Sequence, residues 1–441
     1  MVNFIWRGIT AVFSSPSPAC RCIMRILFLT QIIPYPPNAG PRVKTWHVLR
    51  YLYERGHEVT LASFVREEER PYLAKLDEVC TAVHTVPINR SRVADVGYWL
   101  QSHLSGRPFL IERDDLKGMR QLVQRLLAEQ EFDVVHADQL TMTQFALDAK
   151  KMGGGKRPYI IFDAHNATWS IWERMRQNAP WFLKPVYQIE ENRIKKYEGM
   201  LVEQFDHTMV VIDPDRDLLL AGVQNGNAVA LNERISSIPI AVDAQVLQPV
   251  QRKEGSRNIL TLGTLSYPPN ADGIRWFLQE IFPLVQQQVP DVSLTVIGKN
   301  PPADFVQMAE QSGGVIEVTG YVDDLTPYME AAALMVVPVR AGSGMRVRLL
   351  EAFARAMPTV TTTIGLEGII AEADKEILLA DDPQSFAAAT VKLLNDPDLQ
   401  EMLAVNGRQL AEARYDWRAV LKQMDAVYAN ASAQAETKSY A

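Results

Sequence analysis

Residues 24–64, MRILFLTQIIPYPPNAGPRVKTWHVLRYLYERGHEVTLASF, read as strand, loop, helix and strand. MRILFLT is a short apolar run without alternation, as in a strand buried on both faces of a parallel sheet. QIIPYPPNAGP turns the chain, and RVKTWHVLRYLYERG carries a helix that Gly56 closes. HEVTLASF is a second apolar strand. Two strands joined by a helix form a βαβ unit, the opening of a doubly wound α/β domain.

The pattern continues outward from this unit. AVHTVPI, FDVVHAD, YIIFDAH and HTMVVI are expected strands, and residues 169–203 read as one long helix. Ile194, Tyr197, Leu201 and Phe205 recur there at helical spacing. Between residues 221 and 258 the periodicity fades, and the domain boundary is expected near 249–257. NILTLGT, the loop SYPPNAD and the helix GIRWFLQEIFPLVQQQ then start a second βα series. SLTVIGK, VIEVTGYV, LMVVPV, TVTTTIG and EILLAD supply its further strands.

The sequence thus predicts an α/β protein of two Rossmann-like domains, over residues 24–250 and 251–428. Residues 1–23 precede the fold as an extension, with a membrane-associating segment the other reading, and 429–441 form a frayed tail. Two successive α/β domains leave a cleft beyond the carboxyl ends of their strands, where ligands of such sheets bind.

Composition narrows the function. The 441 residues are too many for one ordinary core. A net charge of −7 gives no global attraction to nucleic acid. The three cysteines, Cys20, Cys22 and Cys80, make neither a disulfide framework nor a zinc-spaced cluster, which favours a reducing, cytoplasmic setting. No window reaches the roughly 20 apolar residues of a membrane-spanning helix. Arg7 interrupts the only stretch that looks like a signal peptide.

The chemistry concentrates in PVRAGSGMRVRLLEAFARAMPTVTTTIGLEGI, residues 338–369. A buried strand delivers the chain into Gly342-Ser343-Gly344, and a helix begins at once. Glycines let a ligand approach the backbone, and a helix N-terminus offers unpaired N–H groups and positive partial charge. Arg346 and Arg348 add two cations, and Glu351 stands one turn further on. The arrangement suits a pyrophosphate, although an ordinary βα turn with solvated arginines has the same spacing.

This segment resembles the donor-site motif of glycosyltransferase family 4, whose members are retaining enzymes of the GT-B fold. Glu351 matches the family's second glutamate, Ala356-Met357-Pro358-Thr359-Val360 its turn, and Gly365-Leu366-Glu367-Gly368 the stretch after that turn. Ser343 stands where the first glutamate is usual, as in a branch reading GSG-x-R-x-K/R-x-x-EA that is associated with exopolysaccharide or glycolipid assembly.

The resemblance spans Met24 to about Tyr428 and implies a glycosyltransferase that moves a sugar from a UDP- or GDP-sugar to an acceptor hydroxyl with retention. It implies Glu351 on the ribose, Gly342, Ser343, Gly344 and Arg346 on the diphosphate, and Arg348 in support, with Arg275 a weaker candidate. Gly320 and Tyr321 would hold the base. The loop PYPPNAGPR brings Gly40 to the donor and Arg42 to acceptor or diphosphate. FDAHNATWSIW resembles the family's D-x-HN-x-E segment, which puts His165 at the reacting sugar and Asn166 on the acceptor side, and His136, in VVHAD, joins them.

No cofactor beyond the donor and no metal site is expected. Asp213-Pro214-Asp215 and Asp381-Asp382-Pro383 read as helix caps rather than metal ligands. Trp169, Trp172, Trp181 and Phe182, interleaved with Arg174, Arg176 and Lys184, read either as core or as a patch for a lipid-linked acceptor at the inner membrane face. Two alternatives remain: a sugar-nucleotide epimerase on the same fold, and a binding protein without turnover.

Overall fold

The computed structural model of the chain describes residues 23–152, 157–342 and 344–439. The expectations placed on residues 1–22, on Ser343 and on the last two residues lie outside them. The opening run forms β1 (Arg25–Thr30), buried at every residue but Arg25. It pairs in parallel with β2 (Glu58–Val65) on one side and β4 (Val134–Asp138) on the other. With β3 (Ala82–Pro87), β5 (Tyr159–Ala164), β6 (His207–Val210) and β7 (Ile235–Ser237) they make a seven-stranded parallel sheet in the order 3-2-1-4-5-6-7.

The second series gives β8 (Asn258–Leu262), β9 (Ser293–Ile297), β10 (Ile316–Gly320), β11 (Ala332–Val337), β12 (Thr359–Thr361) and β13 (Leu378–Leu379). They form a six-stranded parallel sheet in the order 10-9-8-11-12-13. In each sheet the strand order reverses beside a central pair, β1 and β4 in one and β8 and β11 in the other. Crevices at such points are where open α/β sheets take ligands.

Three sequence expectations need correction. The helix expected over 169–203 is two helices, Thr168–Asn178 and Lys184–Gln204. Pro180 lies in the break, and Ala179 before it is extended at φ −77° and ψ 151°, as the residue ahead of a proline prefers. At Asp213 the cap residue is Ile212, and the Asp213 carboxylate instead accepts from Ser237 Oγ at 2.5 Å. Asp382 does cap its helix, accepting from the Gln384 and Ser385 amides.

The third correction concerns the end of the chain. The chain is back on the first domain before residue 428, and from residue 429 it continues the helix Met424–Ser439, with Ala431 buried. Val242 and Asp416 form a parallel bridge, with Val242 N–H on the Tyr415 carbonyl at 2.9 Å and Trp417 N–H on the Val242 carbonyl at 3.0 Å. Beyond that point the chain is back on the first domain. Trp417, Val420, Leu421, Met424, Val427, Tyr428 and Ala431 pack into one core with Ile26, Phe28, Leu49 and Val59. The helix Met424–Ser439 presents Met424, Val427, Tyr428 and Ala431 at helical spacing to that core, and burying this stripe fixes it there.

Candidate active site

Strand β11 ends at Val337, and Pro338 to Gly344 carry the chain to the helix Val347–Ala354. Gly344 has φ +81°, a region that costs other residues roughly 1–2 kcal/mol. It also leaves no room, since a Cβ there would lie 2.8 Å from Asn166 Oδ1. Asn166 belongs to the first domain, just past β5. The turn is therefore in contact with the facing domain.

A second crossing lies beside it. A Cβ at Gly40, where the helix Gly40–Glu54 starts, would be 3.5 Å from Val347 Cγ2. Two helix N-termini, one from each domain, thus converge on the glycine turn. Both direct positive partial charge into the same space.

The cations are unequal. Arg346 donates through Nη1 to the Gly344 carbonyl at 2.6 Å and folds over the turn, its Nη2 3.2 Å from the position of a Cβ on Gly342. Burial lowers its pKa, opposed by Glu367. Arg348 is committed elsewhere, with Nη1 on the Leu262 carbonyl at 3.1 Å and Nη2 on Asn270 Oδ1 at 2.8 Å. Burial and then Arg346 bring it down to about 10, so it stays charged at neutral pH. It ties the loop after β8 to the helix below the turn, a positioning part. Arg275 is bound to Asp304 at 2.5 Å.

Glu351 follows Val347 by one turn and faces a cavity of about 570 Å³, also lined by Val43, His47, Arg50, Val242 and Asp243. Burial raises its carboxyl to about 7, against the pull of Arg355 and Arg348. Gly320 ends β10, its carbonyl accepting from Gly298 N–H at 2.8 Å, and Tyr321 is exposed.

On the first domain, Asp138 ends β4 fully buried. Its Oδ2 accepts from Thr30 Oγ at 2.7 Å and Thr45 Oγ at 3.0 Å, and its Oδ1 takes His165 Nε2 at 2.7 Å. An ionised carboxylate only accepts, so Nε2 carries the proton. In the neutral ring Nδ1 is then an acceptor, and it is buried with no partner among the described residues. Beneath it, Lys44 pairs with buried Asp163. Burial by itself would raise the Asp163 carboxyl, but Lys44 and His136 hold it well below the usual range. Asp138, Asp163 and His165 bring ligand atoms within 4.8 Å of one another, and the Lys44 ammonium already supplies a positive charge there.

Two expectations on the acceptor side change. His136 is fully buried, stacked on Phe28 at 4.4 Å, with Nδ1 2.9 Å from Tyr428 Oη. It belongs to the core under the returning C-terminal helix, with no surface left for an acceptor to meet. Arg42 is paired with buried Glu69.

The aromatic patch also divides. Trp169 is buried, with Nε1 on the Leu218 carbonyl at 3.0 Å, whereas Trp181 and Phe182 are 82% and 60% exposed. Arg174 reaches across the cleft, donating to the Gly342 carbonyl and lying 3.7 Å from Glu367. Arg176 holds Glu191 at 2.7 Å. Sequence reading placed neither Asp138, Lys44 nor Glu367 in the site, although Asp138 shares with His165 the signal of a polar residue closing a buried strand.

Residues 256–396 match the family model of the group 1 glycosyl transferases. The glycine turn, Arg346 and Glu351 all fall inside the matched region. An uncharacterized 44.6 kDa protein in the cps region of Klebsiella pneumoniae is 22% identical over 91% of this chain and 98% of its own. Sucrose-phosphate synthase from Thermosynechococcus elongatus superposes with a TM-score of 0.70 at 16% identity, over 93% of this chain and all of that one. HepE of Anabaena, crystallised with UDP-glucose, gives 0.64 at 14% identity over 92% of this chain and all of its own. The fold is GT-B, two parallel-sheet α/β domains, as in these glycosyl transferase structures.

Proposed function

We propose that this protein transfers a glycosyl group from a nucleoside diphosphate sugar to an acceptor hydroxyl, with retention at the anomeric carbon. The observation that carries the reading is the convergence of Gly342, Gly344 and Arg346 with Gly40, His165 and Asn166 from the opposite domain. The match to group 1 glycosyl transferases supports it, as does HepE, whose structure holds UDP-glucose.

In this reading the diphosphate lies on the glycine turn, with the helix N-terminus and Arg346 stabilising the charge that develops as it leaves. The bond from C1 to the phosphate oxygen breaks, and the acceptor oxygen bonds to C1 on the same face. Its proton passes to the departing phosphate. His165, held by Asp138, accepts a hydrogen bond from a sugar hydroxyl through Nδ1. Glu351 takes the ribose hydroxyls, and Gly320 and Tyr321 border the base. Arginine and backbone dipoles carry the electrostatic work of these steps. A glycan or lipid-linked acceptor is the proposed partner, supported by the cps-region relative and by exposed Trp181 and Phe182 beside Lys184. No helix among the described residues is long and apolar enough to cross a membrane. Contact at the inner membrane face would be peripheral.

A thermal-shift series with UDP, GDP and ADP tests the reading. One of them should raise the melting temperature, by an amount equivalent to about 2.7 kcal/mol at a hundred times its Kd. A folded protein that none of the three stabilises would overturn the proposal. Formation of an epimer from the nucleotide sugar alone would replace it with the epimerase.

Glu351 gives this binding a pH dependence. A carboxylate accepts both ribose hydroxyls only when ionised, and this one ionises near pH 7. Affinity should be full above that pH and fall about tenfold for each unit below it. Calorimetric titration of the wild type and Glu351→Gln at pH 8 and pH 6 checks this. The variant should bind weakly and equally at both; a flat wild-type profile removes Glu351 from the ribose.

A further inference from the structure

The loop between β12 and β13 lies directly against the glycine turn. A Cβ on Gly368 would sit 2.9 Å from Met345 Cγ. The residue before it, Glu367, has Oε1 3.7 Å from Arg174 Nη2, and the same guanidinium donates through Nη1 to the Gly342 carbonyl. One arginine therefore links this carboxylate to the turn, and Arg346 is near enough to feel its charge.

The two carboxylate oxygens differ. Oε2 of Glu367 is buried and has no hydrogen-bond partner among the described residues. A buried acceptor without a donor is costly unless something fills the place. Asp215 Oδ2, a nearby carboxylate oxygen in the same condition, belongs to a residue only 3% exposed whose carboxylate also takes the Ala167 backbone N–H. The Glu367 side chain is 28% exposed. Of the two, Glu367 has the more accessible side chain.

We propose that Glu367 is a specificity-determining residue whose carboxylate accepts hydrogen bonds from ring hydroxyls of the donor sugar. This rests on the donor-site reading above. It supplies, from a loop some twenty residues further on, the kind of group that Ser343 lacks at the turn. Arg174 holds the carboxylate in place and leaves Oε2 for the sugar. A simple tie between the domains would use the same ion pair but would be indifferent to which hydroxyls the sugar carries.

The experiment separates these roles. UDP-glucose, UDP-N-acetylglucosamine and GDP-mannose are offered to the wild type, and the donor it turns over is compared with its 3-deoxy and 4-deoxy analogues. The same series is run on Glu367→Gln and Arg174→Gln, with the free nucleoside diphosphate titrated in parallel. Glu367→Gln should bind that nucleotide with unchanged Kd and lose about ten- to a hundredfold in kcat/KM on the parent sugar. One deoxy analogue should be penalised by a similar factor in the wild type and by less than about threefold in Glu367→Gln. Arg174→Gln should keep the penalty. Should Glu367→Gln fail to fold, Glu367→Asp carries the same comparison. Parent activity that survives in the variant, or deoxy penalties that persist in it, overturn the proposal. A wild type that binds no nucleoside diphosphate sinks the donor site itself, and this assignment with it.

Discussion

Replacing Arg346 with alanine is expected to cut sugar transfer by about a hundred- to a thousandfold while leaving the fold intact. The reason lies in how the local cations are distributed. Arg348 has both terminal nitrogens occupied by Leu262 and Asn270, and Arg275 is bound to Asp304. Arg174 is divided between Gly342 and Glu367. Arg346 alone among these four is folded over the glycine turn from within it. Without it, a departing diphosphate keeps the backbone dipoles and cations held by other partners.

The loss should fall on kcat, because the charge it offsets grows as the bond breaks. Arg346→Lys should recover part of the rate but not all, since an ammonium lacks the planar fork that grips two phosphate oxygens. Steady-state kinetics with a melting curve of each variant decide the matter. Transfer within threefold of the wild type, in a protein of unchanged melting temperature, would mean that the diphosphate is bound elsewhere.

Gly273→Ala is expected to be the most damaging single-methyl change near the site. Gly273 lies in the helix Pro268–Trp276, which crosses the exit of β11. An added Cβ would overlap the carbonyl oxygen of Pro338, with the carbonyl carbon 2.9 Å away and Val339 Cα 3.5 Å away. These are backbone atoms leading into the glycine turn, with no side chain to swing aside. The helix has to lift or the strand end has to shift, at a cost of about 3 kcal/mol or more. That lowers the melting temperature by about 10 °C for a domain of this size. Nucleotide binding should weaken with it, because Pro338 and Val339 aim the turn. Scanning calorimetry checks the stability, and a melting point within about 2 °C of the wild type would show that the helix is free to move.

The parts legible in the sequence were those whose physics is local. Buried parallel strands are continuous apolar runs, so MRILFLT and LMVVPV declared themselves, and a glycine turn between strand and helix marked the anion-binding geometry. β7 is three residues, Ile235–Ser237, with two serines, too short and too polar to stand out. Pro180 lies inside the stretch read as one helix, whose spacing rests on residues 194–205, all on one side of it.

Partnerships over long separations were not legible. His136 lies inside β4, and His165 follows β5 directly. One meets Tyr428, 292 residues away, and is sealed in the core; the other meets Asp138 at the cleft. The HN pair marks His165 in the sequence, but the partner of each histidine lies too far along the chain to be read locally. Arg174 and Glu367 likewise become partners only once two domains are set face to face. The spacing of Met424, Val427, Tyr428 and Ala431 marks an amphipathic helix, yet only the structure says which domain it covers.

That returning segment also sets an order of events during synthesis. The core built on Ile26 and Phe28 stays incomplete until Trp417 to Ala431 have left the ribosome. Residues 258–379, which supply every strand of the other sheet, have emerged by then. The half translated first is the half completed last.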